Sequence, residues 1–228
     1  MRAGSVTIGR FEIDMETAVR WVDRYTNAAA NVDSDKPYAY PAYDRFNAAH
    51  NEPGVLLDAD LLAPGLLNVP IAVRSFYGLQ RIRGHLEAVL SRDELALPIV
   101  DLADDQVAAS IGSLYAVLDD PGTKPWGVNG TTLSKVLHRK RPSSIALHDR
   151  WVEACYLGDG GPVPRAKSRT WAEYMSSVSR AMATDLRSHV NEFLRLQQAS
   201  NASPPLSDLR LLDILAWHVG QRKASSPS

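Results

Sequence analysis

The sequence predicts a mostly α-helical protein, and three observations carry that expectation. Apolar residues recur at three- and four-residue spacing through several long stretches. Strand-like alternation of β-branched and aromatic residues is confined to the first fourteen positions. With 45% hydrophobic residues, a chain of 228 can bury a substantial core without a large sheet to organise it. Residues 1–221 are expected to form a single compact helical unit, or two helical lobes with a central motif at about 105–152, followed by a disordered tail at 222–228.

Taken in order, Val6, Ile8, Phe11 and Ile13 around Gly9 mark a short strand or small hairpin. Met15, Val19, Val22 and Tyr25 then share one face of a helix. A polar, tyrosine-bearing loop with two prolines runs from Asn31 to Tyr43. From Tyr43 to Ile99, Leu56, Leu57, Leu61, Leu62, Leu66 and Leu67 are interrupted by Pro64 and Gly65, which predicts short helices packed at angles. Residues 77–90 and 105–118 each carry a helical apolar stripe. The four-residue repeat of Tyr174, Val178, Met182, Leu186, Val190 and Leu194 predicts the longest helix, over 171–196. A Ser-, Asn- and Pro-rich linker at 198–205 leads to a final helix, with Ser207 as its N-cap and its end before Gly220.

Several function classes are excluded by the same reading. The longest apolar stretch, 54–73, is broken by Asp58, Asp60, Pro64, Asn68 and Pro70, so no membrane span is expected. The first residues lack the apolar run of a secretory signal, and the lone Cys155 cannot form an internal disulfide, so a cytoplasmic location is expected. Cys155 lies among apolar residues and reads as core filler. The six histidines are scattered without ligand spacing, so neither a metal nor another cofactor is expected.

Charge is polarised along the chain. Residues 121–169 hold nine Lys and Arg against three Asp and Glu, whereas the whole chain nets −1. Such asymmetry points to a surface that meets a polyanion, or to a solvated basic face near a bend.

Within that basic region lies the run PWGVNGTTLSKVLHRKRPSSIALHDRWV, residues 125–152. Leu133, Val136 and Leu137 place a helix over 131–140, preceded by glycines and by the helix expected over 105–118. In a helix, glycine turn, helix arrangement, the amides at the second helix's N-terminus are suited to a phosphate.

This run resembles the helix-hairpin-helix DNA glycosylase superfamily, in which a hairpin of the type L-P-G-V-G leads into a helix and a catalytic aspartate opens the next one. Gly127-Val128-Asn129-Gly130 would be the hairpin, and Asp149, in the context Leu147-His148-Asp149-Arg150-Trp151-Val152, the aspartate. Trp126 replaces the family's proline and Asn129 its second glycine. The resemblance implies a multi-helix, DNA-glycosylase-like bundle acting on duplex DNA with a flipped base, in repair or defence. Bifunctional members carry a Schiff-base lysine at the position that maps to Thr131, so the resemblance implies a monofunctional enzyme, one that hydrolyses the base–sugar bond.

On that reading Asp149 stabilises the positive charge developing on the sugar and activates water; as a plain N-cap it would instead accept a backbone hydrogen bond. Phosphate contacts fall to Gly127, Val128, Gly130, Thr131, Thr132, Lys135, Arg139, Lys140 and Arg141, although Arg139-Lys140-Arg141-Pro142 also reads as the charged end of a helix stopped by proline. Tyr38, Tyr43, Tyr77 and Trp151, with Tyr40 and Phe76, are the aromatic candidates for a base pocket. Two other classes stay open: a non-catalytic helix-hairpin-helix DNA-binding module, and a helical protein-interaction domain whose basic segment meets an acidic partner.

Overall fold

The computed structural model describes residues 4–224, and its first element is set by Gly9. With φ at +60°, Gly9 reverses the chain so that β1 (Ser5–Ile8) pairs antiparallel with β2 (Phe11–Asp14), placing Val6 opposite Ile13. The tight turn presses on the interior: Arg10 N donates to Cys155 O at 3.0 Å, and a Cβ on Gly9 would lie 2.3 Å from that carbonyl.

The rest is helical. Asp14 caps α1 (Met15–Thr26) by accepting from Thr17 N at 2.8 Å, and Met15, Ala18, Trp21, Val22 and Tyr25 form its buried face. After the short α2 (Ala28–Val32), the Asn31 carboxamide donates to Tyr25 O and Tyr40 O and accepts from Tyr38 N, folding the tyrosine loop back over α1. The leucine-rich stretch becomes α3 (Asp58–Leu62) and a 3-10 turn around Pro64 (Ala63–Leu67), as the proline predicts. The helix expected from Tyr77 begins earlier, forming α4 (Val73–Leu90). The helix expected over 105–118 is composite: α5 (Asp104–Gln106), a π-helical segment (Val107–Gly112) and α6 (Ser113–Ala116). Further on come α7 (Gly130–Leu137), α8 (Arg150–Tyr156), α9 (Trp171–Ser188), α10 (Val190–Ala199) and α11 (Asp208–Ala224).

Two sequence expectations need correction. The single helix over 171–196 is broken at His189 (φ −127°, ψ 33°), whose Nε2 accepts from Thr7 N at 3.2 Å. That break turns Phe193 and Leu196 into the core and leaves Val190 and Leu194 more than half exposed, so the four-residue stripe does not continue. Nor does α11 stop at Gly220. The chain runs through it because Trp151 packs on that backbone: a Cβ at Gly220 would lie 2.9 Å from Trp151. The tail expected from Arg222 thus starts as helix, and residues 225–228 lie outside the described residues.

α11 is the central element. Leu209, Leu211, Leu212, Ile214, Leu215, Ala216 and Val219 are buried, covering nearly all of its circumference, and it packs against α1, α8, α9 and α10. Most of the core forms one cluster drawing on elements from β1 to α11, with Cys155 buried in it, and a smaller cluster gathers Tyr43, Ala63 and Leu147. Among the described residues no helix is long and apolar enough to cross a membrane.

Burial makes this core sensitive to acid. It holds His138, His148 and His218 down to about 4, against about 6.5 for an unfolded histidine. The unfolded state binds more protons in that window, so the stability these residues contribute is complete above about 6.5 and lost as the pH falls towards 4. Asp213, raised to about 6 by burial, and Asp185, also raised by burial, act in the opposite sense but are outnumbered. Urea unfolding at about pH 7 and about pH 5 is expected to give a lower midpoint at the acid value; an equal or higher midpoint there would contradict this account.

Candidate active site

Asp149 is held by the backbone that follows it. As N-cap of α8 it adopts an extended conformation (φ −156°, ψ −175°), and its Oδ1 accepts from Trp151 N at 2.8 Å and Val152 N at 3.1 Å. The other oxygen, Oδ2, lies 3.9 Å from Lys135 Nζ. Capping and presentation of the carboxylate therefore coexist, one oxygen for each. Ser134 on α7 fixes the preceding residue: its Oγ accepts from His148 N at 3.0 Å and lies 3.3 Å from His148 O. The Asp149 side chain is 22% exposed, so small molecules reach it, whereas that of Lys135 is only 6% exposed.

The carboxylate opens into a cavity of about 350 Å³ between α1, the tyrosine loop, α7 and α11. That volume falls within the range of small-molecule sites. Tyr25, Tyr38 and Trp217 form an aromatic wall, with Tyr25 and Tyr38 ring centres 5.0 Å apart and Trp217 edge-on to Tyr38 at 5.7 Å. Lys135, Asp149, Arg210 and Asp213 form the charged wall, and the exposed Arg24 and Lys36 line the same cavity. Burial lowers the pKa of Lys135, with Asp149 as the main opposing influence, and pushes Asp213 up to about 6.

Arg210 ties these parts together. Fully buried, it forms a fork on Asp44 (Nε to Oδ1 2.7 Å, Nη2 to Oδ2 3.2 Å), donates from Nη1 to Asp213, and reaches Tyr25 Oη at 3.0 Å. Its pKa is raised by these carboxylates despite the opposing effect of burial.

The expected phosphate-binding hairpin folds differently. Gly127 does take a left-handed φ of +67°, but the close approach it permits is to Ser75, whose Oγ donates to Gly127 O at 2.8 Å. Val128 is buried. Asn129, in the place of the expected second hairpin glycine, caps α7 by accepting from Thr132 N at 2.8 Å, so that amide is satisfied within the protein. Gly130 lies against Trp171, where a Cβ would come within 2.1 Å of the indole. Thr131 is partly exposed, and none of residues 127–132 lines the Asp149 cavity.

The basic run is likewise turned inward, a correction to its expected role. Lys140 Nζ sits 2.6 Å and Arg139 Nε 3.4 Å from the buried Asp60, and the Arg139 guanidinium also donates to the Tyr43 and Phe46 carbonyls. Arg141 donates to Leu90 O from Nε at 3.1 Å and Nη2 at 2.8 Å. These three cations bind this chain's own oxygens. Lys135 is the exception, since it enters the cavity beside Asp149.

Of the aromatic candidates, only Tyr38 lines the cavity. Tyr43 is buried, with its hydroxyl donating to Lys135 O at 2.7 Å, and so supports Lys135 from behind. Tyr77 is 60% exposed on α4 and Trp151 packs on Gly220. Sequence reasoning missed Trp217, Asp213, Arg24 and Lys36. Asp213 and Trp217 share a helix that reads from its sequence simply as a core element, and the only available signal was two charges, Arg210 and Asp213, inside an apolar run. Among the described residues no cluster of His, Cys, Asp and Glu could hold a metal ion.

Residues 18–220 match a family of unknown function (DUF6308), and the chain belongs to that family. No curated protein and no solved structure matches it.

The inward-facing cations give a stability prediction. Asp60 is 1% exposed and is the carboxylate paired with both Arg139 and Lys140. Asp60→Ala is expected to destabilise the fold by about 3–5 kcal/mol, because it strands buried charge. Urea unfolding measures this, and a loss below about 1 kcal/mol would show that these cations reach solvent.

Proposed function

We propose that this protein hydrolyses the N-glycosidic bond of a modified, damaged or foreign base in DNA, with Asp149 as the catalytic carboxylate. The observation that carries this reading is the fixed Asp149 carboxylate opening into an aromatic-walled cavity of about 350 Å³. A base swung out of the duplex would lie against Tyr38 and Trp217. Positive charge would then develop on the sugar next to Asp149 Oδ2, the oxygen not engaged by the α8 amides, which also orients the attacking water. Water adds at C1′ as the C1′–N bond breaks, giving a proton to Asp149, and the base departs with the electron pair and takes up a proton. Asp213 is the cavity's second carboxylate, its pKa raised by burial against the opposing pull of Arg210, and it would relay a proton to the departing base. Phosphates on either side of the flipped nucleotide would meet Arg24 and Lys36.

Lys135 supports a second reading. Its amine shares the cavity, and burial favours the neutral, nucleophilic form. Attack of Nζ on C1′ with departure of the base, then loss of an Nζ proton and opening of the C1′–O4′ bond with O4′ taking up a proton, would give an iminium that borohydride reduces to a stable protein–DNA adduct. Such an adduct, lost in Lys135→Met, would replace hydrolysis by lyase chemistry; without one, hydrolysis stands.

Duplexes that each hold one modified base, scored for alkali-labile abasic sites, test the main proposal. At least one is expected to be cleaved, and Asp149→Asn to lower that turnover by about 100-fold or more. Asparagine keeps the N-cap, so fold and duplex affinity should survive the change. Salt-dependent binding without base release would instead identify a non-catalytic DNA-binding module, and turnover undiminished in Asp149→Asn would remove Asp149 from the chemistry.

A further inference from the structure

A second cavity, of about 340 Å³, lies on the other side of the same dipeptide, lined by His148, Glu153, Arg165, Arg169, Trp171 and Tyr174. The extended backbone explains why there are two. With Asp149 extended, its side chain and that of His148 diverge, so His148 lines this cavity while Asp149 lines the other.

We infer that this second cavity binds a nucleoside 5′-monophosphate, either free or as one unit of a DNA strand. The phosphate is called for by Arg165 and Arg169. Both line the cavity, and among the described residues neither has a carboxylate within ion-pair distance. Two guanidinium groups lining one cavity, neither ion-paired to a carboxylate, suit a phosphate. Arg165 is carried on the loop after α8, where Gly158 (φ +86°) passes directly under it; a Cβ there would lie 2.8 Å from Arg165 Nε. That loop is closed at its base by Gly158 N donating to Val163 O at 2.9 Å.

The ring system is called for by the opposite wall. His148, Trp171 and Tyr174 meet edge to face with centroids 5.3–5.8 Å apart, a rigid apolar surface against which a planar base packs. Within it His148 is 4% exposed, with Nε2 3.0 Å from the Tyr174 hydroxyl and a buried Nδ1 that has no hydrogen-bond partner. Burial keeps this ring neutral and the Tyr174 phenol protonated near neutral pH. The Nε2–Tyr174 contact thus leaves Nδ1 as a buried polar atom without a partner, a state that costs free energy. Glu153, the cavity's one carboxylate, is placed to accept from a sugar hydroxyl or an exocyclic amine. Inorganic phosphate alone would leave the aromatic wall unused, and an uncharged nucleoside would leave the arginines unused.

The full chain is titrated with deoxyadenosine 5′-monophosphate, deoxyadenosine, inorganic phosphate and a short 5′-phosphorylated single-stranded oligonucleotide, by calorimetry and tryptophan fluorescence. The monophosphate, the oligonucleotide or both are expected to bind at least about tenfold more tightly than phosphate or the nucleoside. The Arg165→Gln/Arg169→Gln double variant, changed only at side chains that reach solvent, should keep its circular dichroism spectrum and lose about tenfold or more in affinity. Preference for the mononucleotide identifies a free ligand, and preference for the oligonucleotide identifies a unit of a strand. Arg165 and Arg169 lie outside the Asp149 cavity, so affinity lost in the double variant assigns the bound probe to this site. No saturable binding at millimolar concentration, equal binding of phosphate and monophosphate, or undiminished affinity in the double variant would overturn the inference.

Discussion

The buried guanidinium of Arg210 is the constraint on which the candidate active site depends. A cation inside a helix that is apolar nearly all round has to be paired, because an unpaired buried charge costs several kcal/mol. Its partners come from three places: Asp213 one turn along α11, Asp44 at the end of the tyrosine loop, and the Tyr25 hydroxyl on α1. Satisfying Arg210 therefore draws the loop and α1 onto α11. The cavity is the space these elements leave beside Asp149, so its walls follow from an electrostatic requirement at its floor.

A second constraint acts from the other side. Ser134 bonds to the backbone of His148, and Asn129 starts the helix that carries Ser134 and Lys135, so α7 and the start of α8 are registered to each other by polar contacts rather than by apolar packing alone. Directional contacts of this kind set atomic positions more narrowly than packing does. The consequence is that Lys135 Nζ and Asp149 Oδ2, fourteen positions apart in sequence, come to share one wall. Tyr43, which donates to the Lys135 carbonyl, links this arrangement to the loop that Arg210 holds.

The fold was legible in the sequence wherever one face of an element meets the core and the other meets water. The stripe of Met15, Val22 and Tyr25, the alternation around Gly9, and the break at Pro64 and Gly65 all correspond to observed elements. It was not legible where a tertiary contact overrode local pattern. His189 breaks a stripe because its ring meets the hairpin, and Gly220 stays helical because an indole packs on it. At the candidate site, Asp149 and Tyr38 carried signals of their own, namely motif context and loop composition. Asp213 and Trp217 carried none, because both face the cavity from a helix buried on nearly every side, where periodicity does not single out a direction.

The charge pattern teaches the sharper lesson. Nine cations against three acidic residues over 121–169 suggested a basic surface, yet charge along a sequence becomes charge on a surface only if the side chains stay in water. Asp60, far upstream of that stretch on α3, neutralises Arg139 and Lys140 in the interior, and Arg141 is spent on the end of α4. Of that stretch, Lys124, Arg150, Arg165 and Lys167 stay exposed and Arg169 partly so; the cations placed at cavities are Arg165 and Arg169 beside His148 and, from outside the stretch, Arg24 and Lys36 beside Asp149. Since His148 and Asp149 are consecutive, the two sets flank a single point of the chain. A nucleic acid reaching Asp149 would thus be met by cations on both sides of the dipeptide, an arrangement that positions one nucleotide rather than grips a long stretch of duplex.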